Sequence, residues 1–418
     1  MRAVAAYPLE ERTAWRRWVT PAPLASRPVH RWYVFPHSFA AELVYALIDE
    51  WGLGPGDHIL DPFAGAGTTV LAARERGIPA TGYDLSPLAV LATRTKIAGL
   101  DRGRLCTLGA LLLGSEAELS RARGCGAPAQ RADYPELVRM ALPGELLDRF
   151  TTFLGAIEAL PAAQAERDFF RLALLGVVPR YSRAVATGGW LKWVERTGDG
   201  ETIGRVLGER IGVMLSDLRE VCLAGGPYWR VDLADARRLP VAGPTFTAVI
   251  TSPPYPNRHD HTRVFGVELL LALADRERTR RLRYQSFHSH PEARPVRPPA
   301  PGYRPPAALR DAVARLRAGP IDRRIPAMLE GYFLDMYLVL HEIRRVCHQG
   351  ARVALVVGNA QYRGIPIPVD ELTAEVGQQA GLSCSRIVVV RYRGNSAQQM
   401  GRYGRRPQRE SIVIFEAK

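Results

Sequence analysis

The chain has 418 residues, and with 47% hydrophobic and 23% charged residues its composition excludes a protein that is disordered throughout. Arginine and lysine together outnumber the acids by 56 to 42, and the formal net charge of +14 favours a polyanionic partner over a cationic one. This charge is concentrated, because residues 276–324 sum to +9 and residues 386–409 to +7, whereas the rest of the chain sums to −2.

The first predicted elements form a strand–turn–helix–strand unit. Residues 57–61 favour a buried strand that ends at Asp61, and the Gly-rich turn PFAGAGTT follows it. A helix is predicted over residues 68–76, and residues 79–84 favour a second strand that ends at Asp84. This order of elements is typical of α/β proteins that bind ligands at the carboxyl ends of parallel strands.

The rest of the chain alternates between core elements and insertions. Apolar residues at helical spacing predict a mostly helical region over residues 101–225. The eight prolines and many arginines of residues 276–325 predict a loop or a partly ordered segment. The remaining predicted elements are strands at 228–232, 246–251, 352–357, 386–392 and 411–415 and a helix at 329–347.

The Gly-rich turn has the features of an anion or cofactor site. Gly65 and Gly67 allow a ligand to approach the backbone where a Cβ atom would collide. The N-terminus of the following helix presents free N–H groups, and Asp84 lies where an acid binds both hydroxyls of a ribose. The turn lacks the Gly-Lys-Ser/Thr sequence of nucleoside triphosphate loops.

The sequence DPFAGAGTT, followed by GYDLSP, resembles the cofactor motifs of DNA amino-methyltransferases that use S-adenosylmethionine (AdoMet). The resemblance implies AdoMet as the cofactor, with the first acid and the glycines at its methionine part and the second acid at its ribose. The stretch HRWYVFPHSF resembles the segment that covers the methionine end. DARRLP lies where the family places an acid near the adenine amino group, with Asp232 as an alternative to Asp235. The cofactor residues implied are Phe35, Pro36, Asp61, Phe63, Ala64, Gly65, Gly67, Thr68, Thr69, Asp84, Leu85, Asp235, Ala236 and Thr251.

The tetrapeptide SPPY follows the predicted strand 246–251. Its prolines offer no N–H and fix a stiff turn at the sheet edge, where backbone carbonyl groups and Ser252 can accept hydrogen bonds. Accepting both hydrogens of an exocyclic amino group frees its nitrogen lone pair for attack on a methyl group, and Tyr255 offers a ring for stacking a flipped base. The predicted catalytic residues are Ser252, Pro253, Pro254 and Tyr255.

The SPPY sequence resembles the catalytic motif of the N4-cytosine branch, whereas adenine enzymes more often carry an acid or Asn before the prolines. Transfer to carbon 5 of cytosine is disfavoured because none of the five cysteines follows a proline. The scattered cysteines also argue against a disulfide framework or a cysteine-rich zinc site. His259-Asp260-His261 is weak evidence for a metal, and no metal is expected.

Double-stranded DNA is the partner that the charge pattern and the resemblance predict. The candidate DNA contacts are Arg258, Arg263, Arg281, Arg283, Arg402, Arg405 and Arg406. Neither a secretory signal nor a membrane span is evident, so we expect a cytoplasmic protein. The resemblance leaves open whether a cognate restriction endonuclease exists.

The resemblance implies an α/β, Rossmann-like class I methyltransferase fold: a seven-stranded, mostly parallel sheet with helical and Arg/Pro-rich insertions and an antiparallel strand near the C-terminus. The predicted segments are 1–100, the N-terminal segment and AdoMet-binding half of the core; 101–227, a mostly helical insertion and candidate target-recognition region; 228–275, the core with SPPY; 276–328, the basic Arg/Pro-rich insertion; and 329–418, the C-terminal part of the core.

The predicted function is site-specific methyl transfer from AdoMet to the exocyclic amino group of a flipped DNA base, with cytosine N4 favoured. Three alternatives stay open: an N6-adenine DNA methyltransferase, an RNA methyltransferase with the same core, and an inert regulator that binds AdoMet or DNA. The intact SPPY and Gly-rich sequences argue against the regulator, because mere DNA binding requires neither.

Overall fold

The computed structural model describes residues 7–114, 133–187, 190–196, 201–221, 228–257, 260–273, 275–394 and 407–418. In this part of the chain the strands are β1 (Leu9–Glu11), β2 (Ile59–Asp61), β3 (Ala80–Asp84), β4 (Ala184–Thr187), β5 (Trp190–Trp193), β6 (Trp229–Leu233), β7 (Phe246–Thr251), β8 (Cys347–Gly358), β9 (Ala360–Tyr362), β10 (Ile365–Ile367), β11 (Leu382–Arg393) and β12 (Gln408–Ala417).

The helices of the same residues are α1 (Ala41–Trp51), α2 (Thr68–Glu75), α3 (Pro87–Ile97), α4 (Arg102–Gly114), α5 (Glu136–Ala141), α6 (Glu145–Ala159), α7 (Gln164–Leu175), α8 (Val178–Tyr181), α9 (Ile203–Glu220), α10 (His261–Val264), α11 (Gly266–Leu273), α12 (Arg276–Gln285), α13 (Ala307–Arg317), α14 (Arg324–Val346) and α15 (Val369–Gln379). Short 3₁₀ helices span Thr13–Arg17, Ala22–Ser26 and His30–Trp32. Within the described ranges, none of the helices has the length and apolar character that crossing a membrane requires.

Eight strands form one sheet in the order β1-β11-β12-β8-β7-β2-β3-β6. β12 runs antiparallel to both of its neighbours, and the other pairs are parallel. Strands β7, β2 and β3 are adjacent in this order and parallel to one another, so their carboxyl ends meet at one edge of the sheet. Ligands bind at this edge in open α/β sheets.

Both faces of the sheet are buried, because alternate residues along the central strands enter different apolar clusters. Ile59 of β2 and Ala248 of β7 belong to the cluster that includes residues of α1–α4 and α9. Leu60 and Val249 belong to the cluster that includes residues of α13, α14 and α15. Strands covered on both faces read as continuous apolar runs, which explains the clear strand signal of FTAVIT and RVALVV.

The predicted number of seven strands is wrong, because β1 adds an eighth strand at the sheet edge. Leu9 of β1 lies opposite Ile387 of β11 in parallel register. A strand of three residues is too short to show an alternating pattern, and its partner is nearly the whole chain length away. Neither property leaves a signal in the local sequence.

The prediction that residues 276–325 form a loop or a partly ordered segment outside the core is also wrong. The segment contains α12 and α13, and Phe287, Leu309 and Leu316 are buried in the cluster with α14. Its prolines lie outside the helices or at their boundaries: Pro306 precedes the first residue of α13 and Pro320 follows its end. The proline count therefore obscured a helical spacing of apolar residues between them.

We predict that Gly377 is required for the packing of α15 on the sheet. A Cβ atom at Gly377 would overlap with the ring of Phe415 on β12. Gly377→Ala should therefore lower the free energy of unfolding in chemical denaturation by about 1–3 kcal/mol, the usual cost of overpacking a core.

Gly155→Ala is the matched control, because Gly155 lies in α6 with nothing within 4 Å of its Cβ position. That variant should gain roughly 0.5–1 kcal/mol from the higher helix propensity of alanine. Equal stabilisation by both substitutions would contradict the packing described for α15.

Candidate functional site

A cavity lies at the carboxyl ends of β2, β3 and β7, and it brings most of the predicted site residues together. The predicted residues that line it are Phe35, Asp61, Phe63, Ala64, Gly65, Thr68, Asp84, Leu85, Asp235, Ala236, Ser252, Pro253, Pro254 and Tyr255. Residues of the Gly-rich turn and of the SPPY turn therefore face the same space.

The Gly-rich turn between β2 and α2 has two glycines in the left-handed region. Gly65 has φ +51° and Gly67 has φ +83°. A Cβ atom at Gly67 would lie 2.7 Å from the side chain of Thr93, so this glycine permits the turn to pack against α3. Gly65 faces the cavity, and its N–H donates to Asp84 Oδ2 at 2.9 Å. The turn thus also fixes the acid that ends the neighbouring strand.

Asp61 is a buried carboxylate at the end of β2. Its Oδ1 accepts a hydrogen bond from the Thr251 hydroxyl at 2.6 Å and from the Phe63 N–H at 3.1 Å. Burial raises the pKa of Asp61 to about 6, although these hydrogen bonds act in the opposite direction. A cationic ligand group would offset the desolvation of this carboxylate.

Four predicted cofactor residues do not line the cavity in the described structure: Pro36, Gly67, Thr69 and Thr251. Pro36 is exposed beside Phe35. Thr69 donates to the Ile250 carbonyl at 3.1 Å, and Thr251 donates to Asp61. These two hydroxyls therefore join the β2–α2 unit to β7 and do not face the cavity.

Phe35 forms an apolar wall opposite the Gly-rich turn. Its ring lies 3.6 Å from the position that a Cβ atom of Gly65 would take. The ring of Phe265 packs against it with a centroid distance of 4.6 Å, and Leu269 extends the same wall. The N-terminal segment thus covers the Gly-rich turn.

At the other side of the cavity, Asp235 is held by a buried arginine. Arg237 donates from Nε to Asp235 Oδ1 at 2.9 Å and from Nη2 to Asp235 Oδ2 at 2.7 Å, and its Nη1 lies 3.2 Å from Asp335. Asp232, the alternative acid, is exposed, lies 4.0 Å from Arg94 and does not line the cavity. The geometry therefore favours Asp235 over Asp232 as the acid that faces the cavity.

The SPPY turn is anchored on the strands that follow it in the chain. The Ser252 hydroxyl donates to the Val356 carbonyl of β8 at 3.2 Å. The Tyr255 hydroxyl donates to Glu410 Oε1 of β12 at 3.1 Å, and Arg393 lies 5.7 Å from the centroid of the Tyr255 ring. A Cβ atom at Gly358 would lie 2.9 Å from this ring, so the glycine leaves room for it.

Several residues that line the cavity were not predicted as site residues. Three of them closely follow SPPY in the sequence: Asn257, His261 and Thr262. A fourth, His37, contacts the ring of His261 at a centroid distance of 5.5 Å. His37 and His261 belong to stretches quoted above, so motif context could have suggested them. Leu282, Ser286 and Phe287 come from the Arg/Pro-rich segment, where no local pattern points to a site.

Within the stretch His259-Asp260-His261, Asp260 is paired with protein groups. Asp260 accepts a hydrogen bond from the Arg263 N–H at the start of α10 and lies 2.6 Å from Arg283 Nε. Among the described residues, no group of three or more metal-ligating side chains is found. His259 lies outside the described residues.

The candidate DNA contacts are only partly described. Arg263 and Arg281 are exposed, and Arg283 forms the ion pair with Asp260. The other four candidates lie outside the described residues: Arg258, Arg402, Arg405 and Arg406.

Comparisons with known proteins find similarity to DNA methyltransferases. A family model for N6/N4 methyltransferases, described as DNA methylase, matches residues 10–93. The chain is 27% identical over 450 residues to the Type II methyltransferase M.BsoBI of Geobacillus stearothermophilus, which covers 94% of this chain and 86% of that protein. It is also 28% identical over 436 residues to the Type II methyltransferase M.AvaI of Nostoc sp.. That alignment covers 93% of this chain and 86% of the relative.

Among solved structures, geranyl diphosphate methyltransferase in complex with GPP and sinefungin aligns with a TM-score of 0.32 and 9% identity over 100% of this chain and 90% of that chain. TrmN from Thermus thermophilus aligns with a TM-score of 0.28 and 12% identity, and the alignment covers 90% of this chain and 49% of that chain.

The family model and the two Type II methyltransferase relatives support an AdoMet-dependent DNA amino-methyltransferase, with AdoMet as the cofactor. The sheet of this chain has the Rossmann-like class I methyltransferase arrangement, with a single antiparallel strand, β12, inserted among parallel ones and β1 added at the edge. The cavity chemistry fits this cofactor: a buried carboxylate suits its ammonium group, and Asp84 suits its ribose.

We predict that AdoMet affinity falls as the pH decreases through about 6. The raised pKa means that the Asp61 carboxylate is largely ionised at pH 7.5 and largely protonated at pH 5, and only the ionised form attracts an ammonium group. Titration calorimetry should show roughly 10-fold weaker binding at pH 5 than at pH 7.5.

The pKa of Asp84 is also raised by burial, so Asp84 could contribute to the same pH dependence. Asp61→Asn separates the contribution of Asp61 to the pH dependence of AdoMet affinity from that of Asp84. The variant should bind weakly at both pH values, with a much flatter profile. Wild-type affinity that is the same at pH 5 and pH 7.5 would show that the Asp61 charge does not contribute to binding.

Proposed function

We propose that the protein is a site-specific DNA methyltransferase that transfers a methyl group from AdoMet to the exocyclic amino group of a flipped-out cytosine, forming N4-methylcytosine. The observation that carries the proposal is the shared cavity of the Gly-rich turn and the SPPY turn. A cofactor held at the first turn and a base held at the second would meet in that space, which is the positioning that direct transfer requires.

The cofactor end of the proposal assigns roles to the residues around the Gly-rich turn. When bound, AdoMet supplies a methyl group on a positively charged sulfur, which is an electrophile. Asp61 would hold the ammonium group and Asp84 the ribose hydroxyls. Asp235 would accept a hydrogen bond from the adenine amino group, with its carboxylate kept in place by Arg237. Phe35 would cover the methionine end.

Ser252 would act as a hydrogen-bond acceptor for the target amino group. A hydroxyl has one proton, and that of Ser252 is donated to the Val356 carbonyl. The oxygen lone pairs therefore remain to accept one amino hydrogen, and the carbonyl of Ser252 or Pro253 would accept the other. With both hydrogens held, the nitrogen lone pair would be less delocalised into the ring, which would favour an N–C bond to a methyl group supplied by bound AdoMet with loss of its S–C bond. The surplus proton then leaves to solvent.

Tyr255 would stack against the flipped base. Its ring lines the cavity, while its hydroxyl donates to Glu410 at the far end. Base–aromatic stacking contributes about 1–3 kcal/mol per base, which helps to offset the cost of extracting a base from the duplex. Cytosine is preferred to adenine here because a serine precedes the two prolines, as in the N4-cytosine branch that the motif resembles.

DNA would bind across the mouth of the cavity, where α12 carries exposed arginines such as Arg281 and its end contributes Leu282 and Ser286 to the cavity wall. We assign target recognition to the insertions 101–227 and 276–328, and Arg402, Arg405 and Arg406 to phosphate contacts. The relatives are named Type II methyltransferases, which supports a role beside a cognate restriction endonuclease.

We predict that Ser252→Ala lowers kcat for methyl transfer from labelled AdoMet to DNA by about 100- to 1000-fold, the usual effect of removing one preorganised polar group. AdoMet affinity should stay close to that of the wild type, because Ser252 lies at the base end of the proposed site.

Ser385→Ala is the matched control, since Ser385 also donates a hydroxyl to a strand carbonyl, that of Ile414 at 3.2 Å, but does not line the cavity of the described residues. This variant should retain wild-type activity. Equal incorporation of label by both variants would refute the role of Ser252, and a wild-type protein that transfers no label to DNA would refute the proposed function.

A further inference from the structure

The segment that carries Phe35 is held by buried charges. Residues 29–35 contain one short 3₁₀ helix, and Val29 has φ +62°, a conformation that a β-branched residue rarely adopts. Such backbone strain persists only where the surroundings fix it, and it is frequent in ligand clamps.

One end of the segment is fastened to α9. Asp217 of this helix has no exposed side-chain surface and accepts hydrogen bonds from the Val29 N–H at 2.9 Å, from Arg31 Nε at 3.1 Å and from Trp32 Nε1 at 3.0 Å. Arg210, also on α9, donates to the Trp32 carbonyl. The helical insertion therefore supports the segment that covers the cofactor site.

The other end is fastened by Lys96, one of three lysines in the chain. Its side chain is buried on α3, and its Nζ donates to the Tyr33 carbonyl at 2.6 Å and to the Ala66 carbonyl at 2.7 Å. Tyr33 lies two residues before Phe35, and Ala66 adjoins Gly65. A single ammonium group thus connects the two opposing walls of the cavity.

Burying an ammonium group is unfavourable unless its donors are satisfied, and burial lowers the pKa of Lys96 to about 7. Two short hydrogen bonds to backbone carbonyls satisfy two of its three N–H donors. If either wall moved, one of these bonds would break inside the protein. The position of Phe35 relative to Gly65 is therefore coupled to this side chain.

We propose that Lys96 is a positioning residue for the cofactor: it holds the Phe35 segment against the Gly-rich turn so that both walls are preformed before AdoMet binds. This inference rests on the role that the proposed function gives to Phe35. Lys96 does not line the cavity of the described residues, so it acts through the two segments that it connects.

The test measures the dissociation constant of S-adenosylhomocysteine, the demethylated cofactor product, by titration calorimetry on the full chain. Lys96→Met should weaken binding by about 10-fold or more, because two charge-assisted hydrogen bonds to the walls are lost. Arg94→Met is the matched control: Arg94 lies on the same helix with a side chain that is 51% exposed, and this variant should bind like the wild type.

A double-mutant cycle with Phe35→Ala distinguishes positioning from a general loss of structure. If Lys96 acts through Phe35, the double variant should bind no more than about two-fold more weakly than Phe35→Ala alone, because coupled effects do not add. Fully multiplicative effects of the two substitutions, or wild-type affinity of Lys96→Met, would overturn the inference.

If circular dichroism shows that Lys96→Met does not fold, Lys96→Gln tests whether Lys96 supports cofactor binding. The shorter neutral amide can reach one carbonyl at most, so binding should be weakened about three-fold or more, and wild-type affinity would overturn the inference. A wild-type protein that binds S-adenosylhomocysteine but does not methylate DNA would instead refute the proposed function. Failure of the Lys96 inference can therefore be distinguished from failure of the proposed function.

Discussion

The hydrogen bond from the Thr251 hydroxyl to Asp61 is the contact on which the site depends. It joins the last residues of two neighbouring parallel strands, β7 and β2, at a distance of 2.6 Å. The Gly-rich turn begins directly after Asp61 and the SPPY turn directly after Thr251. Because strand register fixes both starting points, the two turns face one cavity without any need for a moving domain.

The elements beyond these strands support the same cavity from three sides. The C-terminal strands anchor SPPY through Val356 and Glu410. The helical insertion fastens the N-terminal wall through Asp217. The Arg/Pro-rich insertion closes the Asp235 side of the cavity with Phe287, whose ring meets that of Phe63 edge to face at 5.7 Å. Both insertions therefore belong to the architecture of the site and are more than additions to its surface.

The features that could be predicted from the sequence are those encoded by a few consecutive residues. Strands buried on both faces, the Gly-rich turn and SPPY each occupy a few consecutive residues, and their order alone predicts a shared sheet edge. Contacts between distant residues could not be predicted in this way. Lys96, Asp217 and Glu410 read as ordinary charged residues, and their roles arise from burial against partners 30 to 188 residues away. The edge strand β1 was missed because it is short and its partner β11 is distant in sequence. The helices of the Arg/Pro-rich segment were missed because the proline count obscured their helical spacing of apolar residues.

The central claim is that the SPPY turn presents an exocyclic amino group of cytosine to the AdoMet methyl group. Mass spectrometry of nucleosides from the DNA of cells that express the protein tests it most directly, with cells that express Ser252→Ala as the reference. We predict N4-methylcytosine in the first sample and its loss in the second. N6-methyladenine in its place would contradict the choice of base, and 5-methylcytosine or unmodified DNA would contradict the mechanism itself.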